Sequence, residues 1–203
     1  NIPIHKKKIE PNIFLHKKDL KQSSIIFAGE GISRNDPYFY SAYVMNYILG
    51  GGGFSSKLTT EIREKRGLVY SVYSYLYRYD KYNFFSGGAQ TSNENVDKVI
   101  KIIKEEIMKV KKEGVTEEEL KNAKNYLINS YVLRLDSNKK VASILLNTQM
   151  DGLNIDFFEK RNDYINSVSL EDIKKIANRI LDENQMFFLV IGNPSNLKNI
   201  NKI

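Results

Sequence analysis

The chain has 203 residues, 41% of them hydrophobic and 27% charged, with no cysteine and a formal net charge of +7. That balance excludes disordered, collagenous and low-complexity classes, and at this length roughly 70% of the unfolded chain's surface can be buried without a metal or disulfide staple. The lack of cysteine excludes zinc ribbons, iron–sulfur clusters, thiol nucleophiles and structural disulfides, and no apolar run approaches the ~20 residues of a membrane span.

The excess of basic residues, Lys+Arg 31 over Asp+Glu 24, raises nucleic acid or an acidic surface as partners. The lysines are spread along the chain with Glu or Asp nearby, however, which is the pattern of solvated helix faces, so no nucleic-acid partner is expected. Asn1 followed by His5-Lys6-Lys7-Lys8 has no apolar core of the signal-peptide kind, and a start without Met is expected of a fragment or a processed product.

Residues 11–20 and 22–29 read as two strands, expected to form a hairpin. Asp36-Pro37 then opens a helix whose Tyr40, Val44, Tyr47 and Ile48 share a face and which ends at Gly50. After four glycines, Ser55 or Ser56 caps a second helix carrying Leu58 and Ile62, which stops at Gly67. Residues 68–79 read as a long strand, 80–83 as a turn, and 84–90 as the returning strand, where Gly87-Gly88 marks a bulge or a close approach. Thr91-x-x-Glu94 reads as a capping box before Val96, Val99, Ile103, Ile107 and Val110, in a helix ending at Gly114. Thr116-x-x-Glu119 and Ser169-x-x-Asp172 open further helices, with others over 140–150 and after Ile155, and 186–191 closes the chain as a strand. The fold class is therefore α+β, a largely antiparallel sheet covered on one face by helices, in a single domain spanning 1–203.

Of the two histidines, His5 and His16, neither begins an H-E-x-x-H or H-x-x-E-H zinc signature, so no metal site is expected in this chain. Gly50-Gly51-Gly52-Gly53-Phe54-Ser55-Ser56-Lys57 lacks the glycine before lysine and the leading strand of a phosphate loop. It reads as a structural connector, with a hinge or a backbone approaching a ligand as the functional alternative. Arg66 to Tyr73 partly matches an RNA-binding pattern, but Leu68, Val69 and Ser71 stand at positions that pattern reserves for other residue types.

Taken together, residues 49–58 and the run Glu61-Ile62-Arg63-Glu64-Lys65-Arg66-Gly67-Leu68-Val69-Tyr70-Ser71 resemble the C-terminal half of the M16 zinc metallopeptidases of the insulinase, pitrilysin and mitochondrial processing peptidase type. Further similarity runs through Gln22-Ser23, Asp36-Pro37, residues 114–124, residues 133–136 and residues 190–194, covering about 20–195. The resemblance implies a bacterial-type, non-catalytic half that closes a chamber against an N-terminal zinc-bearing domain or subunit. Zinc and all its ligands, with the catalytic base, would lie on that partner, so the isolated chain is expected to be inactive. Arg63 and Tyr70 match the pair by which this half contacts a peptide or unfolded protein substrate, and Gly50, Gly51, Gly52 and Gly53 would form a hinge or chamber loop. A guanidinium and a phenol suit that role because both donate hydrogen bonds to a peptide carbonyl without having to change charge. The alternatives are a catalytically silent scaffold of the same fold and, behind it, RNA binding through Arg66 to Tyr73. Homo- or hetero-oligomers are both compatible, as are cell envelope, periplasm and cytoplasm.

Overall fold

In the computed structural model, which describes residues 13–79, 82–154, 156–182, 185–197 and 200–202, the strands β1 (Ile13–Lys17), β2 (Gln22–Glu30), β3 (Val69–Tyr79), β4 (Tyr82–Ser92), β5 (Phe187–Gly192) and β6 (Ile200–Lys202) form one sheet. Their spatial order is β3-β4-β2-β5-β1-β6. The β3/β4, β4/β2 and β2/β5 pairings are antiparallel, while β1 runs parallel to both β5 and β6. The helices are α1 (Phe39–Asn46), α2 (Val96–Glu113), α3 (Glu117–Asn129), α4 (Asn138–Met150), α5 (Phe157–Asn166) and α6 (Leu170–Ile180).

The α+β class is present, with three differences from the order read in the sequence. β1 and β2 are not a hairpin, because β5 lies between them, pairing Ile25 with Val190 on one side and Leu15 with Val190 on the other. β5 is the most apolar strand, and a central place buries Phe188 and Val190 where an edge would leave them wet. Residues 11 and 12, which the first strand was expected to include, lie outside the described residues. Thr91 does not cap α2: it stays in β4 and its hydroxyl donates to the Leu68 carbonyl at 2.6 Å, so the sheet runs on to Ser92 and a short 3₁₀ turn, Asn93–Asn95, precedes the helix. The last strand of the chain is β6, not β5.

The core lies between one sheet face and α1, α2 and α6. Phe27 is its centre, its ring 6.1 Å from that of Phe85 and 5.9 Å from that of Phe188. Gly87 keeps the β3/β4 register unbroken and serves close approach: a Cβ there would lie 2.2 Å from the tip of Phe27. The register shift falls instead between Val69 and Val72, at the start of β3. On α2 the stripe Val96, Val99, Ile103, Ile107 and Val110 is buried throughout, each full burial contributing about 1.5–3 kcal/mol.

Candidate functional site

α1 is buried nearly all round rather than along one stripe, with Phe39, Ala42, Val44 and Met45 in the core. It starts two residues later than Asp36-Pro37 suggests, because the Asp36 carboxylate accepts from the Tyr38 N–H at 2.9 Å and closes a turn first. At Asn46 the helix widens into a π turn, Tyr47–Gly51, of the kind frequent at functional sites. Asn46 anchors this widening to β3. Its Nδ2 donates to the Ser74 carbonyl at 3.3 Å, and the Ser74 hydroxyl donates back to Asn46 Oδ1 at 2.8 Å.

The four glycines do different things. Gly50 lets the π turn press onto β3, since a Cβ there would sit 2.4 Å from Ser74 Oγ and 2.9 Å from Ser74 N. Gly53, at φ +59°, turns the chain out of the helix and leaves Phe54 in solvent. Ser56 then accepts from the Thr59 N–H, and Leu58 and Ile62 are fully buried, which fixes the next helical segment. This segment is also a π turn, Thr59–Glu64, rather than the α-helix its spacing suggests. Lys57 pairs with Glu119 and ties it to α3.

The segment ends in a glycine closure whose two hydrogen bonds each span one residue more than in a Schellman motif, as the π turn before it requires. Leu68 N–H donates to the Ile62 carbonyl and Gly67 N–H to the Arg63 carbonyl, with Gly67 at φ +59°. The chain reverses straight into β3, and that reversal brings Tyr70 back beside Arg63. The Arg63 guanidinium lies 4.5 Å from the Phe54 ring centroid and 5.4 Å from that of Tyr70. The Arg63 side chain is 30% exposed and Tyr70 85%, so both reach solvent from a rigid base. Glu61 stiffens this base from below by accepting from Lys65 and Arg66, whose hydrogen bonds hold its carboxyl down at about 2.

A cleft of about 710 Å³ opens on the other side of Phe54, walled by Tyr43, Tyr47, Tyr126, Leu76, Arg78 and Arg134. Its walls come from α1, the π turn, β3, the end of α3 and the 3₁₀ turn Val132–Leu135 that carries Arg134, and neither Arg63 nor Tyr70 lines it. Phe54, Asn46 and Arg134 had no assigned role in the sequence reading; the first and last lie inside the motif stretches 49–58 and 133–136, so that signal was present. The outer edge of β3 is partly closed from within, because the Val72 and Ser74 carbonyls accept from Thr59 and Asn46. An added strand therefore finds those two positions taken. Among the described residues, no three His, Cys, Asp or Glu side chains converge on a point that could hold a metal ion. No described helix is long and apolar enough to cross a membrane.

Comparison with known proteins places these features in context. The family description "Peptidase M16 inactive domain" matches residues 3–127. The uncharacterized zinc protease YmxG of Bacillus subtilis is 29% identical over 175 residues, which is 86% of this chain and 42% of the relative. The non-peptidase homolog YmxG of Helicobacter pylori is 30% identical over 150 residues, 74% of this chain and 34% of its own. The chain thus spans less than half the length of these relatives. Among solved structures, the peptidase M16 inactive domain from Pseudomonas fluorescens superposes with a TM-score of 0.85 at 29% identity, covering 95% of this chain and 45% of that one.

Proposed function

Because the chain belongs to the M16 peptidase family, as its inactive domain, we propose that it is the substrate-holding half of a zinc-dependent endopeptidase whose metal is supplied by a separate N-terminal domain or subunit. The observation that carries this reading is the Arg63 guanidinium held between the rings of Phe54 and Tyr70. The described residues offer no ligand set for zinc, so no metal-bound step is assigned to them. Their contribution is to binding and to charge. Arg63 and Tyr70 donate hydrogen bonds toward a peptide carbonyl, and a donor preplaced where negative charge develops favours the transition state over the ground state. Contacts with Phe54 and Tyr70 limit the freedom of the guanidinium, which lowers the entropy lost when it meets the peptide. Residues 1–203 act here as one unit, and the glycine stretch 50–53 forms part of the chamber wall.

The test is reconstitution. This chain is combined with a zinc-bearing N-terminal M16 half, and cleavage of an unstructured peptide is followed for wild type, Arg63→Ala and Tyr70→Phe. Loss of turnover in both variants, with assembly intact, supports the substrate-holding role; wild-type turnover in both sinks it.

A second reading is a silent scaffold of the same fold. What favours it is that the Helicobacter pylori relative is named a non-peptidase homolog. A reconstituted pair that assembles tightly and cleaves nothing would select this reading.

A further inference from the structure

The clefts beside the Arg63–Tyr70 pair carry an electrostatic imbalance that the proposed function does not use. The 710 Å³ cleft continues into a smaller one of about 210 Å³, the two sharing Phe39, Tyr43, Arg78 and Arg134. Four guanidiniums line this groove, those of Arg34, Arg78, Arg134 and Arg161, and no Asp or Glu does. Asp151, beside it, pairs with Arg78 at 2.6 Å and Arg34 at 3.8 Å. No carboxylate among the described residues meets the other two.

Arg161 makes the imbalance informative. It is only 5% exposed, and desolvating a guanidinium costs several kcal/mol unless its charge is met. It donates to the Leu127 carbonyl at 3.1 Å and to Asn162 Oδ1 at 3.0 Å, and it lies 3.9 Å from the Tyr131 ring centroid. These contacts orient it and satisfy part of its fork without neutralising it. Arg134 is exposed at the mouth shared by both clefts. A groove with four guanidiniums against the single carboxylate of Asp151, and with the buried Arg161 charge unmet, is built for an incoming anion.

We infer that this groove is a subsite for the carboxylate side chains of an acidic peptide segment, which anchors the substrate next to Arg63 and Tyr70. The inference rests on the peptide-binding reading of that pair. Peptide carboxylate is favoured over nucleic acid because the four charges gather around two joined clefts walled by aromatic side chains rather than along a surface track that could follow a phosphate backbone.

The experiment measures fluorescence anisotropy of two labelled, C-terminally amidated peptides that differ only in a central Glu-Glu or Gln-Gln, titrated with the 203-residue chain. The Glu peptide is expected to bind about tenfold more tightly, a preference worth one charge-assisted contact. Arg134→Gln, at an exposed position, is expected to remove most of that preference, while Lys98→Gln on the outer face of α2 leaves it unchanged. In wild type alone, raising salt from about 50 to about 500 mM is expected to shrink the preference without abolishing it, because the exposed Arg134 is screened while the buried Arg161 is screened less. Equal affinity for the two peptides overturns the inference, as does equal loss in Arg134→Gln and Lys98→Gln. A single-stranded RNA oligonucleotide that binds more tightly than the Glu peptide and depends on Arg134 also overturns it. A Glu preference dependent on Arg134 stands even where Arg63→Ala and Tyr70→Phe leave cleavage unchanged. Conversely, impaired cleavage in those two variants with no Glu preference removes the subsite alone.

Discussion

Asn46 and Ser74 hold each other across the boundary between α1 and β3, each donating one hydrogen bond to the other: Ser74 Oγ to Asn46 Oδ1 at 2.8 Å and Asn46 Nδ2 to the Ser74 carbonyl at 3.3 Å. Both residues are buried, at the floor of the 710 Å³ cleft. Ser74→Ala leaves Asn46 Oδ1 buried without a donor and is expected to destabilise the chain by about 1–3 kcal/mol, read from the urea midpoint. Asn46→Leu, which loses both bonds where the turn widens, is expected to cost at least as much. A change below about 0.5 kcal/mol in both would mean that the π turn does not depend on this pair.

The glycines separate by mechanism. Gly50→Ala drives a methyl into Ser74 Oγ and N, a backbone collision that only a shift of the helix relieves, and it is expected to cost about 2–3 kcal/mol. Gly53→Ala meets no atom within 4 Å but must hold φ +59°, at about 1–2 kcal/mol. Gly51→Ala would bring its Cβ 2.7 Å from Asn46 Nδ2, the same group that bonds Ser74. Its loss is therefore expected to be less than additive with that of Ser74→Ala in a double-mutant cycle.

Glu61 gives the site's base a pH dependence with a defined sign. Its carboxyl is lowered from 4.5 to about 2 by hydrogen bonds from Lys65 and Arg66. A lowered carboxylate contributes stability that is complete above the unfolded value and is lost as pH falls through the folded one, here between about 4.5 and 2. Because Lys65 and Arg66 are solvated, the contribution is expected to be about 0.5–1 kcal/mol. Urea midpoints of wild type and Glu61→Gln should differ at pH 7 and converge toward pH 2; a difference constant with pH would assign the effect to packing.

Tyr70 allows chemistry and stability to be separated, since at 85% exposure its hydroxyl and ring add little to the fold. In the reconstituted enzyme, Tyr70→Phe and Arg63→Ala are each expected to lower kcat/KM by about tenfold to a thousandfold, equivalent to roughly 1.4–4 kcal/mol of transition-state stabilisation. The melting temperature of Tyr70→Phe should stay unchanged. Arg63→Lys is expected to rescue poorly, because an ammonium offers neither the forked donors nor the flat face that packs between Phe54 and Tyr70.

What the sequence determined by itself is what depends on neighbours a few residues away. The α2 stripe from Val96 to Val110, the capping boxes Thr116/Glu119 and Ser169/Asp172, and the stop at Gly67 are set by a helical period, by a side chain reaching back three residues, and by a positive φ. Arg63 and Tyr70 stood out only through the family resemblance, since composition and spacing alone read them as a solvated charge and a sheet aromatic; it is the turn at Gly67 that sets one beside the other. Tertiary structure decided wherever two partners compete for one group. Thr91 has the pattern of a cap, yet its hydroxyl goes to the Leu68 carbonyl, because β4 continues alongside β2 and β3. β2 lies next to β5, more than 150 residues on, rather than next to β1, since only a central place buries β5 on both sides. The arginine groove was illegible for a related reason: Arg34, Arg78, Arg134 and Arg161 come from four separate segments, and a charge reads as solvated until the fold shows what has been packed around it.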